Sequence, residues 1–244
     1  MKLAICLSGQ PRDVKNSLKN IKESWSSEQD VDFFFHSWWG VNGSPFRDDA
    51  PSDVYTDDLF DYIVTMINPV HHKIENPIQF EKQYSDSVHW GCYHPRFNKN
   101  PSQNIQSMFY SLNQCNNLKV EYEMKNNFKY DAVLKCRFDY IFNKKYDLKN
   151  FNLEYLNAKN DCKHTEYAIN DHIALSNSDN MNVYSDVIHN LDKYYEIGVE
   201  FNPEVLLGFH VHYNQIPVAK TLGDNEESYV STKNERSFMY SNGS

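Results

Sequence analysis

Arg137-Phe138-Asp139 closes a short apolar run, Ala132-Val133-Leu134-Lys135-Cys136, and sets a cation and an acid two residues apart at a chain reversal. The surrounding stretch 130–142 (YDAVLKCRFDYIF) reads as an interior strand, covered on both faces, that runs straight into a charged turn. An acid placed where a central strand of an open α/β sheet stops lies in the crevice in which such sheets bind ligands. Its hard oxygens suit Mg²⁺ or Mn²⁺ held against the phosphates of a nucleotide. The plainer reading is that Asp139 caps a turn and pairs with Arg137, and R-x-D is too short a motif to choose between the two.

A second group of candidates follows the first strand. Residues 2–7 (KLAICL) are strand-like and break at Ser8-Gly9-Gln10-Pro11-Arg12. The glycine lets backbone come close to a ligand, while Ser8, Gln10 and Arg12 offer donors to a phosphate or a base. Neither G-x-x-x-x-G-K nor G-x-G-x-x-G is present, so the common phosphate cradles are excluded and a plain strand-to-helix turn is the alternative. Residues 31–35 (VDFFF) form the next strand and end in His36-Ser37-Trp38-Trp39-Gly40. Between them, residues 13–25 repeat Val14, Leu18, Ile21 and Trp25 at helical spacing. Strand, helix and strand make a βαβ unit and a parallel sheet, which sets His36 and Trp38 beside the Ser8–Arg12 loop. There an imidazole or an indole can stack on a base, although a tryptophan pair serves equally well as packing.

The remaining elements position these groups. Residues 42–58 read as an acidic loop, 59–67 as a short helix and 70–74 as a third strand, whose His71 and His72 face opposite sides and so are read as structural. Residues 85–101 are irregular and rich in aromatic and basic side chains, a binding loop or an ordered surface loop. The longest helix covers 102–126, with Ile105, Met108, Leu112, Cys115 and Tyr122 on one stripe. Asn104, Ser107 and Tyr110 lie in its early turns, where side chains and the positive helix end can face a sugar or phosphate. After a polar connection at 143–156, residues 167–175 read as a strand carrying Asp171 and His172, and 179–192 as a helix. Asn202-Pro203-Glu204 opens a further short helix. Residues 209–213 (FHVHY) read as a late strand with His210 and His212 on one face. The expected organisation is one α/β domain over residues 1–220, a mostly parallel central sheet flanked by helices, followed by a polar tail over 221–244.

Composition narrows the partners. A chain of 244 residues suffices for one large domain with its own core. Its 17 Tyr and 15 Phe suit stacking on bases and sugar rings as well as core packing. A formal net charge of -9 argues against a nucleic-acid polymer or an anionic membrane, but not against a nucleotide held through a metal ion. The 5 cysteines include no C-x-x-C pair, which disfavours a zinc site or a disulfide framework and points to a reducing, cytoplasmic setting. The apolar run before Ser8 is too short for a signal-peptide core, and no run of about 18 apolar residues is present to span a membrane.

The order of parts resembles a known family. A first strand ending in SGQPR, a second ending in HSWW, a helix carrying N-x-x-S-M-x-Y-S from Asn104 to Ser111, then YDAVLKCRFD, an I-N-D strand and an N-P-E helix are similar to the small nucleotide-sugar glycosyltransferases of the GT-A fold. In particular they resemble uncharacterised proteins with a similar LSGQPR start in cyanophages and large DNA viruses, which would put the protein in a host cytoplasm. The similarity spans roughly residues 1–215. It implies transfer of a glycosyl group, as by a hexosyltransferase, from a nucleoside diphosphate sugar, UDP by family habit, to the hydroxyl of a glycan or other acceptor. Asp139 matches the last acid of the family's D-x-D metal motif, and Arg137 stands at the first. The resemblance further implies that Asp139 binds Mn²⁺ or Mg²⁺, that a late histidine, His212 or His210, completes the metal shell, and that Asp171 stands where an inverting enzyme places its base, a retaining reaction being the alternative. Ser8, Gly9, Gln10, Arg12, His36 and Trp38 would hold the nucleotide, with Asn104, Ser107 and Arg137 at the donor sugar. Arg137 departs from the motif, and the alternative to a metal ion is that its guanidinium neutralises the diphosphate. A fold of this kind that has lost turnover would instead be a nucleotide-sugar or glycan binding module.

Overall fold

The computed structural model describes residues 1–25, 30–39, 56–84, 101–159, 167–222 and 228–231. Gly40, most of the acidic loop, the aromatic segment before Pro101 and most of the tail lie outside these residues.

The first half of the chain alternates strands and helices: β1 (Lys2–Gly9), α1 (Val14–Trp25), β2 (Asp30–Trp38), α2 (Asp57–Ile67), β3 (His71–Glu75), α3 (Pro101–Asn126) and β4 (Ala132–Cys136). β1 pairs in parallel with β2, Gly9 opposite Ser37, and with β4, Leu7 opposite Cys136; β2 pairs in parallel with β3, Trp38 opposite Glu75. The second half holds β5 (Tyr140–Phe142), β6 (Leu156–Ala158), β7 (Ile173–Ser176), α4 (Ser178–Tyr184), α5 (Leu191–Glu196), α6 (Pro203–Tyr213), β8 (Val218–Ala219) and β9 (Ser228–Val230). β7 runs antiparallel to both neighbours, with Cys136 opposite Ile173 and Asn157 opposite Leu175, and β6 pairs in parallel with β8. The result is a mostly parallel, mixed seven-stranded sheet in the order β3-β2-β1-β4-β7-β6-β8, with β5 and β9 in a separate ribbon.

Strand alternation divides the core into two layers. Leu3, Ile5 and Leu7 of β1 face Val14, Leu18, Ile21 and Trp25 of α1 and Leu59, Ile63 and Ile67 of α2. Ala4 and Cys6 face α3, α4 and α6 through residues such as Phe109, Leu112, Cys115, Tyr184 and Leu207. Trp25 ends α1 stacked on Tyr146, with ring centroids 4.8 Å apart, and meets Phe142 edge-on. α2 is capped at its start by the Thr56 hydroxyl on the Leu59 amide and at its end by left-handed Asn68.

The chain builds outward from β1 to β2 and β3, then returns to place β4 on the other side of β1. The helices follow this reversal, with α1 and α2 on one face and α3 on the other. The carboxyl ends of β1 and β4 therefore frame a topological switch point, where an open α/β sheet forms its ligand crevice.

Several sequence expectations are corrected. Residues 209–213 are the second half of α6, not a strand. Asn202 caps two amides of that helix, Pro203 occupies its first turn, and apolar residues cover most of its circumference, so FHVHY satisfies a buried helix as well as a strand. The 179–192 helix breaks at Ser185 into α4, a 3-10 turn at Val187–Asn190 and α5. Within 167–175 only residues from Ile173 onward are strand, and Asp171 lies in the turn before it. The 130–142 stretch divides at Cys136, because residues 140–142 leave the main sheet to pair with 228–230, a part of the tail that is folded against the domain.

Candidate functional site

The turn after β4 has the organisation its three side chains dictate. Phe138 is fully buried against Phe35, ring centroids 5.9 Å apart. With Phe138 packed in the α1 layer, Arg137 and Asp139 meet: Nε and Nη2 of Arg137 donate to the two carboxylate oxygens at 2.8 and 2.6 Å. Arg137 retains 26% of its side-chain exposure and Asp139 only 2%, so the cation is the outer partner. Burial alone would lower the guanidinium's pKa; the Asp139 charge and hydrogen bonds outweigh it and leave the pKa raised. The turn is braced from both sides. Ser17 of α1 donates to the Phe138 carbonyl, and the Ser231 amide donates to the Asp139 carbonyl at 2.9 Å.

Lys135, one residue before the end of β4, is a buried cation inside an apolar strand. Its ammonium donates to the Asp171 carbonyl, which ties the turn before β7 to β4. Burial brings its pKa down to about 8. The Asp171 carboxylate is mostly buried and lies 3.3 Å from His172 Nε2. Asn170 closes the turn by accepting from the His172 amide at 2.8 Å. The buried Tyr184 hydroxyl, which senses the Asp171 charge, has no hydrogen-bond partner among the described residues.

Gly9 ends β1 at φ +109°, a conformation that only glycine adopts without strain. Its amide is already engaged, donating to Ser111 Oγ at 2.8 Å. Ser111 also lies 2.7 Å from His36 Nδ1, and His36 Nε2 lies 2.8 Å from Glu75, which pairs with Lys73 at 3.0 Å. A relay from Lys73 through Glu75, His36 and Ser111 thus ends on the Gly9 amide. His36 is fully buried; burial lowers its pKa, opposed by Glu75. Beyond Gly9, Gln10 Oε1 accepts from Arg12 Nε at 3.0 Å.

The implied nucleotide and sugar residues divide between inner and outer positions. Ser8, Gly9, Gln10 and Arg12 lie on the strand end and loop that border the switch point. His36 and Trp38 belong to β2 itself and are buried; Trp38 stacks on Tyr110 with centroids 5.3 Å apart and donates to the Ser107 carbonyl at 3.3 Å. Asn104 and Ser107 occupy the first two turns of α3, which extends past the sheet's carboxyl edge above Ser111. The topology gathers Arg137, Asp139, Asp171 and the Gly9 loop at one edge.

The late histidines are not at that edge. α6 starts beside the Asp171 turn, with the Ile169 amide donating to the Glu204 carbonyl, and runs about 16 Å to the opposite edge, where the Leu156 amide meets the Pro217 carbonyl. In a helix, residues two apart do not share a face. His210 is buried, with ring nitrogens 2.7 Å from Tyr194 and from the Val183 carbonyl, while His212 is exposed in the last turn. Among the described residues no group of three His, Cys, Asp or Glu side chains is arranged to hold a metal ion. Among the described residues Asp139 offers one carboxylate, both oxygens of which accept from a guanidinium, and such a donor set does not fit Mn²⁺ or Mg²⁺.

Lys135, Ser111, His172, Glu75 and Tyr184 were not picked out as site residues from sequence. Lys135 carried a signal, a charge at the fourth place of a five-residue buried strand. Ser111 stood within the N-x-x-S-M-x-Y-S segment, but its partners are far apart in the chain. Among the described residues no helix is long and apolar enough to cross a membrane. Neither protein-family models nor curated proteins give a match to the chain.

Proposed function

We propose that the protein is a glycosyltransferase of GT-A type that uses a nucleoside diphosphate sugar, with the donor seated at the β1–β4 switch point. The observation that carries this reading is the convergence of the Gly9–Arg12 loop, Arg137 and Asp171 on one crevice edge. Open α/β sheets bind nucleotides at such an edge, and this one brings a guanidinium for phosphate together with a carboxylate for proton transfer.

In this reading Gln10 and Arg12 contact the nucleotide from the loop after β1. His36 and Ser111 hold Gly9 in place, and Trp38 supports α3 so that Asn104 and Ser107 border the donor sugar. Asp171 accepts the acceptor hydroxyl's proton as the acceptor oxygen bonds to the anomeric carbon. The bond from that carbon to the β-phosphate oxygen breaks, and its electron pair leaves with the diphosphate.

A second reading, a non-catalytic nucleotide-sugar or glycan binding module, is favoured by one observation: Asp139 is occupied by Arg137. Donor hydrolysis separates the two. The purified protein is screened by thermal shift against UDP, GDP, CMP and their sugars, with and without Mn²⁺, and the stabilising sugar is followed for hydrolysis. A ligand at about 100 times its Kd adds roughly 2.7 kcal/mol of apparent stability. Stabilisation with slow hydrolysis that Asp171→Asn abolishes supports the transferase. Stabilisation without hydrolysis supports the module, and no stabilisation by any of them removes both.

A further inference from the structure

Resting on the transferase reading, we propose that Asp139 is a clamp for Arg137 and not a metal ligand, and that the Arg137 guanidinium neutralises the departing diphosphate in place of a divalent ion.

The geometry is ordered for this role. A hard-metal site presents carboxylate oxygens to the ligand; here the carboxylate lies behind and the cation in front, 2% against 26% exposed. Of five guanidinium N–H donors, Asp139 takes one on Nε and one on Nη2. The remaining N–H groups, including both on Nη1, have no partner among the described residues, a fixed fork of the kind that matches phosphate oxygens. The clamp is itself immobilised, because Phe138 is buried and the carbonyls of Phe138 and Asp139 are held by Ser17 and Ser231. A preorganised cation of this kind loses little freedom when an anion binds.

A second cation reinforces the first. Lys135 lies beneath the same strand end and contributes positive charge within the buried layer. Among the described residues, Arg137 pairs with Asp139, and the Lys135 ammonium bonds the Asp171 carbonyl, so two cations and two acids stand at this strand end. When the glycosidic bond to the β-phosphate oxygen breaks, the diphosphate gains one negative charge. The guanidinium is the group placed to meet it.

Calorimetric binding of UDP-glucose, UDP and inorganic pyrophosphate, in EDTA and again in Mn²⁺, tests the proposal on the wild type, Arg137→Lys and Asp139→Asn. The expected result is binding in EDTA by UDP and pyrophosphate. Arg137→Lys weakens both by about tenfold, the loss of roughly one charge-assisted hydrogen bond. Asp139→Asn, which frees the guanidinium without removing it, also weakens binding in EDTA and is not rescued by Mn²⁺. Circular dichroism establishes that each variant is folded, and Arg137→Lys keeps the test decisive if Asp139→Asn is not. Binding that needs Mn²⁺ and disappears in Asp139→Asn overturns the clamp and leaves the transferase standing. Pyrophosphate binding in EDTA without any response to UDP or UDP-glucose upholds the guanidinium site and overturns the transferase. No binding under either condition overturns both.

Discussion

Asp139 accepts from both Nε and Nη2 of Arg137, two residues away, and the acid of this pair is almost wholly enclosed while the base reaches the surface. A buried carboxylate is tolerable only with such a partner. Asp139→Ala strands a guanidinium, and Arg137→Ala strands a buried charge, so each single variant is expected to lose about 3–5 kcal/mol. An Arg137→Met/Asp139→Leu double variant, which removes both charges, is expected to lose less than either single variant. Urea unfolding of the three proteins measures the difference. A loss in the double variant equal to the sum of the two single losses would mean that the pair is not coupled.

Ser111 is the junction between the Gly9 amide and His36. In Ser111→Ala both groups lose a partner in a buried setting, at a cost of about 1–3 kcal/mol. Because Gly9 begins the loop that carries Gln10 and Arg12, nucleotide binding is expected to weaken as well. Thermal unfolding and nucleotide titration of the same preparation read the two effects. Unchanged binding would detach the relay from the site.

Gly208 allows α6 to lie directly on the Tyr167 backbone. A methyl group there would meet the Tyr167 carbonyl oxygen at 2.0 Å, a contact that requires backbone to move. Gly208→Ala is expected to destabilise by about 1–3 kcal/mol and to displace the turn that presents Asp171. Gly198→Ala is the control, since its added carbon meets nothing within 4 Å and only its φ of +84° is strained. Donor hydrolysis falling in Gly208→Ala and not in Gly198→Ala is the predicted pattern.

His36 and His210, both buried, have pKa values below the ordinary 6.5, in each case first through burial. Below pH 6.5 the unfolded chain therefore binds more protons than the folded one. Stability contributed by these groups is present above that pH and is lost as pH falls, by up to about 1.4 kcal/mol per pH unit for each proton. Urea midpoints at pH 7.5 and 5.5 check the direction, and His36→Asn is expected to flatten the dependence. A midpoint that rises on acidification would contradict it.

Local pattern made the first half of the fold legible. The KLAICL and VDFFF runs, the Val14–Leu18–Ile21–Trp25 spacing and the long helix before YDAVLKC required only the periods of strand and helix and the βαβ rule. The proximity of the Ser8–Arg12 loop to His36 and Trp38 followed, because parallel strands joined by a helix end at the same edge. The second half resisted for identifiable reasons. A five-residue apolar segment such as FHVHY fits a buried helix and a strand alike, and the outcome depended on whether the Asn202–Pro203 start propagated through it. The reversal of β7 could not be read locally, since strand direction leaves no mark on a four-residue run.

What the sequence determined by itself was the set of chemical groups and the edge at which most of them would meet, because both follow from residue type and short-range periodicity. Tertiary structure alone decided how those groups are used. His36, read as a ligand for the base, has both ring nitrogens bonded inside the core; His212 was carried to the far edge by the length of α6; and Asp139 was placed behind Arg137 by the burial of Phe138. Each of these outcomes depends on side chains more than twenty residues apart in the chain, such as Ser111 with Gly9, Phe138 with Phe35 and Asp171 with Lys135. Such pairings arise only when the sheet order brings distant strand ends together, and no local propensity encodes them.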